Sequence, residues 1–185
     1  MDSIKERGKR LLPVTLDNIA LTQPNKPWIS VPLDDSDISK GFTDITFKQF
    51  ANAINHATSW LESVIGNVGA FQVFAYEGPA DARLAIIAVA AAKVGWKVLL
   101  PFPYAPSQVK GYLLDITKCK AFVYASHSTS IQSILDERPH IRGIVAPSLQ
   151  EWITEKPAIP YVFKKSWDEA ADDPWIIFHT SGTTG

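Results

Sequence analysis

The sequence has 185 residues, 46% of them apolar, and eighteen Lys and Arg against nineteen Asp and Glu for a net charge of −1. That is enough apolar material for one core of ordinary domain size, and the balanced charge excludes a global field that would draw the chain to nucleic acid or to an anionic membrane. The single cysteine, Cys119, excludes an internal disulfide framework and a multi-cysteine zinc site.

The opening MDSIKERGKR is charged and has no apolar segment behind it, so it does not read as a secretory signal. The longest purely apolar run, LAIIAVAAA, is far too short to span a bilayer. The expectation is a cytoplasmic chain with no nucleic-acid and no membrane partner. After a tail over residues 1–11, a short helix is predicted from about Thr15, stopped by QPNKP. A short strand around Trp28 to Val31 and a polar loop over DDSDISKGF follow.

The clearest helix is TFKQFANAINHATSWLESVIG. Thr46 followed by Gln49 has capping-box spacing, Phe47, Phe50, Ile54, Ala57, Leu61 and Val64 recur at helical steps, and Gly66 supplies the stop. His56 lies beside that stripe and reads as a surface or half-buried histidine, because no second ligand type stands at metal spacing from it. Beyond it, FQVFAYE predicts a buried strand and GPADARLAIIAVAAAKVG an apolar helix closed by Gly95. WKVLLPF, KAFVYAS and HIRGIVAP predict further strands, and APSQVKGYLLDITKC and STSIQSILDER the helices between them. SWDEAADDP predicts a helix-to-loop passage stopped by Pro174, and WIIFHT a last strand. Alternation at this spacing predicts a parallel sheet covered by helices. Asp81 and Arg83 read as a cap and a helix-start charge, Cys119 as a core residue, and the tryptophans, which share no spacing, as packing groups.

The last strand delivers the chain into TSGTTG. Gly182 and Gly185 permit backbone conformations closed to other residues and let amides approach an anion. Thr180, Ser181, Thr183 and Thr184 add hydroxyl donors suited to phosphate oxygens. Taken alone, such a string suits a solvated turn as well as a polyphosphate cradle. It is not a Walker loop, since the lysine of GxxxxGK[ST] is absent, and no GxGxxG is present.

WIIFHTSGTTG resembles the signature of the adenylate-forming enzymes, the superfamily of acyl-CoA synthetases, luciferases and nonribosomal peptide synthetase adenylation domains. Their pattern is an apolar strand, then T-S-G-[ST]-T-G, then x-P-K-[GA]. Within it, PWISVPLDDSDISKGFTDITF and KVGWKVLLPFPYAPS are similar to segments of fungal nonribosomal-peptide-synthetase-like enzymes. The resemblance implies an α/β fold, the incomplete N-terminal portion of the acyl-CoA synthetase-like large domain, with a mainly parallel sheet and flanking helices. Residues 12–185 would be a partial AMP-binding (adenylation) domain truncated at its phosphate-binding loop. It further implies that Thr180, Ser181, Gly182, Thr183, Thr184 and Gly185 surround the β- and γ-phosphates of ATP, with Mg2+ sharing the work. A carboxylic acid substrate would become an acyl adenylate and pass to the thiol of phosphopantetheine on a carrier domain, or of CoA. His179 then has two readings, a polar role near the nucleotide or packing at the strand end.

The family's lysine past the signature, its adenine and ribose contacts, most of its acyl pocket and its C-terminal lid all come later than Gly185. This chain alone is therefore expected neither to adenylate an acid nor to bind ATP tightly, and no catalytic residue or metal ligand is assigned within it. A rival expectation is a non-catalytic remnant serving as a protein-interaction module. A third is an unrelated small phosphate-binding α/β domain.

Overall fold

Helix α1 runs over Leu12–Thr22 in the computed structural model, which describes residues 8–34, 36–66, 71–126 and 129–179. It starts ahead of the expected Thr15 because Pro13 occupies the first turn, where a missing N–H costs nothing, and Thr15 turns its hydroxyl back to the Leu11 carbonyl at 2.9 Å. Strand β1, Pro27–Pro32, follows as expected.

The polar loop is shorter than its composition suggested. It holds a 3-10 turn, Ile38–Lys40, and its last residue opens an unforeseen strand β2, Phe42–Thr46, antiparallel to β1 with Ser30 opposite Asp44 and Val31 opposite Thr43. This ribbon is mostly exposed, so it lacks the apolar alternation that announces a half-buried strand. Trp28 fastens it to the helix layer by stacking on Phe50 with ring centroids 3.5 Å apart.

Helix α2, Phe47–Ile65, begins at the capping box read from the sequence. The Gln49 amide donates to Thr46 Oγ1 at 3.3 Å and the Thr46 amide donates to Gln49 Oε1 at 2.9 Å. Phe50, Ala53, Ile54, Ala57 and Leu61 form its buried face.

Five parallel strands then build the sheet: β3 (Val73–Glu77), β4 (Lys97–Leu100), β5 (Ala121–Tyr124), β6 (Arg142–Val145) and β7 (Ile176–Phe178), in the spatial order β6-β5-β3-β4-β7. Helices α3 (Ala82–Val94), α4 (Ser107–Ile116) and α5 (Thr129–Asp136) connect the first four strands. A short helix α6 (Leu149–Trp152), a stretch over 153–166 and helix α7 (Trp167–Ala170) lead to β7.

Because side chains alternate along a strand, the sheet feeds two cores. Phe74, Tyr76, Val98 and Val123 pack with α2 and α3, while Val73, Ala75, Leu99 and Phe122 pack with Leu114 of α4 and Ile134 of α5. Burial on both faces explains why these strands read as continuous apolar runs. Helix α3 lies between α2 and the sheet, so it is apolar nearly all round. Gly95 closes it at φ 75°, a left-handed conformation that glycine adopts without a Cβ penalty. Among the described residues no helix is long and apolar enough to cross a membrane.

Candidate functional site

In a parallel sheet all carboxyl ends lie at one edge, and ligands settle there where the strand order reverses. The reversal here is at β3, with β4 on one side and β5 on the other. The carboxyl edge at that point carries Glu77 and Gly78 after β3, the turn over 101–106 after β4, and His179 after β7. Leu100 stands opposite Phe178 in the β4–β7 ladder, so the chain reaches this edge at His179. The predicted loop, Thr180, Ser181, Gly182, Thr183, Thr184 and Gly185, lies outside the described residues.

His179 is half-buried, and its Nε2 accepts the backbone N–H of Phe102 at 2.7 Å. That bond requires a neutral ring carrying its proton on Nδ1. The histidine thus ties the end of β7 to the turn after β4. One residue further along that turn, the Pro103 carbonyl accepts from Lys110 Nζ at 2.8 Å, and the same ammonium donates to Glu77 Oε2 at 2.7 Å. Lys110 is 3% exposed and belongs to the first turn of α4. Its charge is balanced by Glu77, so Lys110 itself is already engaged within the protein.

Sequence reasoning did not single out Lys110 or Glu77. The fold alone reveals it: Lys110 and Leu114 form the buried stripe of α4, whereas Val109, Tyr112 and Ile116 are exposed, an inversion of the usual amphipathic pattern.

Next to this edge, Asp81 caps α3 by accepting the Arg83 amide at 2.9 Å, and Arg83 Nη2 donates to Asp81 Oδ2 at 2.8 Å, matching the reading of both residues. The Tyr76 hydroxyl is buried without a hydrogen-bond partner among the described residues, and burial pushes its pKa up to about 12. A Cβ at Gly78 would overlap that hydroxyl, so the backbone after β3 passes directly over it.

Residues elsewhere carry structure. His56 is half-buried with Nε2 2.9 Å from the Lys156 carbonyl, pinning the 153–166 stretch to α2. Cys119 is buried in the core and burial pushes its thiol up to about 11, far from a reactive thiolate. Trp96 is buried and donates from Nε1 to the Gly66 carbonyl at 3.1 Å, and Trp60 meets Trp152 edge to face at 6.0 Å. Among the described residues no group of three or more His, Cys, Asp or Glu is placed to hold a metal ion. An open cleft of about 910 Å³ lies between α1, α2 and the 153–166 stretch, lined in part by Leu21, Gln49, Pro157 and Val162. Asn52, on the same wall, already bonds the backbone of Thr154, Lys156 and Ala158.

No protein-family model matches the chain. It is 34% identical over 182 residues to a carboxylic acid reductase of Neurospora crassa, a match covering 96% of this chain and 17% of that protein. It is 32% identical over 181 residues to the isocyanide synthase-NRPS hybrid crmA of Aspergillus fumigatus, covering 96% of this chain and 12% of the relative. Among solved structures, a Mycobacterium tuberculosis fatty acyl CoA synthetase superposes with a TM-score of 0.68 at 17% identity, over 95% of this chain and 33% of that one. The N-terminal subdomain of Klebsiella oxytoca NpsA, in complex with 3-hydroxybenzoyl-AMSN, gives 0.65 at 18% identity over 94% of this chain and 38% of that one. The chain therefore spans less than a fifth of these fungal relatives and about a third of the solved proteins. Over 96% of its length it is a homologue of fungal nonribosomal-peptide-synthetase-like proteins, and its fold is that of the N-terminal portion of the adenylate-forming, acyl-CoA synthetase-like large domain.

Proposed function

We propose that residues 12–185 contribute the phosphate-gripping part of an adenylation domain that activates a carboxylic acid with ATP, residues 1–11 being a tail. The observation that carries this reading is the parallel pairing of β7 with β4, which brings His179 to the carboxyl edge of the sheet immediately before TSGTTG.

In the reaction, a carboxylate oxygen bonds to the α-phosphorus of ATP while the bond from that phosphorus to the bridging oxygen breaks and pyrophosphate leaves. A thiol, of phosphopantetheine on a carrier domain or of CoA, then attacks the acyl carbon and AMP leaves. This chain's part is to hold the leaving β- and γ-phosphates. Backbone amides freed by Gly182 and Gly185 and the hydroxyls of Thr180, Ser181, Thr183 and Thr184 are donors of the right kind for phosphate oxygens. Mg2+ would neutralise charge on the same phosphates. The work is positioning and charge stabilisation. Such a protein belongs in the cytoplasm, where ATP and reduced carrier thiols are at hand, and its relatives' names suit secondary metabolism.

The test starts from the native polypeptide, captured from source cells with an antibody to Asp34–Phe47 and weighed by mass spectrometry. Acid-dependent ATP–pyrophosphate exchange by that polypeptide is the expected result, with none from the purified 185-residue chain. Failure to exchange with any of a broad panel of carboxylic acids would overturn the reading, and exchange by the 185-residue chain would overturn its assignment of the remaining chemistry to other segments.

A second reading, a protein-interaction module without catalysis, is favoured by the exposed Phe102, Tyr104, Tyr112, Ile116 and Phe178. A defined hetero-complex of the native polypeptide in size-exclusion chromatography, without pyrophosphate exchange, would support it.

A further inference from the structure

We infer that Glu77, Lys110 and His179 are positioning residues, forming one brace that sets how the chain leaves the sheet toward residues 180–185. This inference rests on the adenylation reading above for its substrate, the triphosphate of ATP, and on geometry alone for the brace.

The links are continuous. Glu77 ends β3 and binds Lys110 Nζ at 2.7 Å; that ammonium binds the Pro103 carbonyl at 2.8 Å; the neighbouring Phe102 amide binds His179 Nε2 at 2.7 Å. The turn between is closed on itself by the Ala105 amide, which donates to the Phe102 carbonyl at 2.9 Å. One short turn is thus gripped from both sides, by the buried Lys110 paired with a half-buried Glu77 of the central strand and by the residue that precedes Thr180.

A buried ion pair is a poor stabiliser, because desolvation offsets most of its attraction, and an apolar pair of similar volume serves a core as well or better. What the pair does uniquely is hold the carbonyl of Pro103, an otherwise exposed residue, at a set distance from the end of β3. The Phe102 amide is placed by the same turn, and it in turn holds the His179 ring at the end of β7. A loop that grips phosphates by its amides depends on such placement, since a displacement of an ångström costs transition-state contacts.

The brace is tested in the native polypeptide with three variants. His179→Ala removes the acceptor. His179→Gln restores one, Oε1, near the position of Nε2. Lys110→Met with Glu77→Leu removes both charges together, leaving neither unpaired, and frees a Pro103 carbonyl that water can reach. Pyrophosphate exchange is read as separate KM values for ATP and for the acid, and amide deuterium uptake is read over 102–105 and 179–185.

His179→Ala is expected to raise KM for ATP by about tenfold while KM for the acid stays within about twofold, and His179→Gln to recover most of that loss. The Lys110→Met/Glu77→Leu pair should raise KM for ATP by a similar factor, and adding His179→Ala should cost little more, because both act on the same turn. Deuterium uptake over 179–185 should quicken in the Lys110→Met/Glu77→Leu protein. Unchanged KM for ATP in His179→Ala, or effects that multiply independently, would overturn the brace. If the unaltered protein shows no exchange with any acid, the adenylation reading fails, and the deuterium arm decides the brace: faster uptake over 179–185 on substituting Lys110 and Glu77 upholds it, and unchanged uptake refutes it.

Discussion

Two buried ammonium groups sit at opposite edges of the same sheet. Lys93 lies in the last turn of α3, where the chain returns to the amino end of β4, and Lys110 lies in the first turn of α4, where it leaves the carboxyl end. Lys93 is bound by both carboxylate oxygens of Asp17 at 2.9 Å, by Asn55 Oδ1 at 3.2 Å and by the Tyr161 carbonyl at 3.0 Å. Those partners come from α1, α2 and the 153–166 stretch, so this charge staples the helix layer. Among the described residues Lys110 binds only the end of β3 and the turn after β4. Burial and residue type are the same in both places. Position relative to the strand ends separates a staple from a candidate brace.

The largest expected effect breaks the comparison if it goes the wrong way. Lys93→Met should cost about 2–3 kcal/mol, because it strips a donor from Asn55, the Tyr161 carbonyl and an Asp17 carboxylate that is only half-buried, and adding Asp17→Leu should recover part of it. Urea unfolding measures both, and ATP affinity of the folded fraction should not move. A shift in ATP affinity as large as that expected for the Lys110→Met/Glu77→Leu pair would mean the two edges are not distinct.

Next in size is the response to alkali. Burial raises Cys119 from 9.0 to about 11 and Tyr76 from 10.0 to about 12, and the half-buried Tyr161, beside Glu62, also to about 12. Unfolded, these groups release protons earlier than they do folded. The stability they contribute is present in full below about pH 9 and is lost as pH rises toward about 12, on the order of 2 kcal/mol for the best-buried of them. Unfolding free energies at pH 8, 10 and 11 check the slope. Cys119→Ser should flatten its first part and Tyr76→Phe its second.

Smaller still, Thr46→Ala should lose about 1 kcal/mol by removing the α2 cap without touching either lysine. Thermal melts measure it. Smallest, Tyr76→Phe near neutral pH should change stability by less than about 1 kcal/mol and in the stabilising direction, because the hydroxyl it removes has no partner among the described residues. A marked loss would show that this hydroxyl is engaged at the carboxyl edge.

Much of the fold was legible. The α2 cap at Thr46 and Gln49, the Gly95 stop of α3 and the apolar runs of β3, β4 and β5 all stand where periodicity placed them, because each rests on neighbours in sequence or on burial from both faces. The β1–β2 ribbon was only half visible. Phe42, Thr43 and Asp44 are all exposed, so no alternation marked the second strand. Helix α1 starts ahead of the expected Thr15 because Pro13 is a first-turn residue. Of the candidate site, the resemblance named the loop from Thr180 to Gly185, which lies outside the described residues, and the structure describes the chain as far as His179. Glu77, Lys110 and Pro103 were not legible as a group, since their bonds join positions on three different elements.

The sequence by itself determined the alternation of strands and helices, the caps and stops that bound them, and the resemblance to adenylate-forming enzymes, because these depend on short-range pattern. Only the tertiary structure decided that β7 pairs with β4, that two lysines are buried at opposite edges, and that His179 accepts from Phe102 rather than standing free. The reason is physical. A strand's neighbour and a buried charge's partner are chosen by the closing of space between segments far apart in sequence, such as Asp17 with Lys93, and no local rhythm encodes that choice.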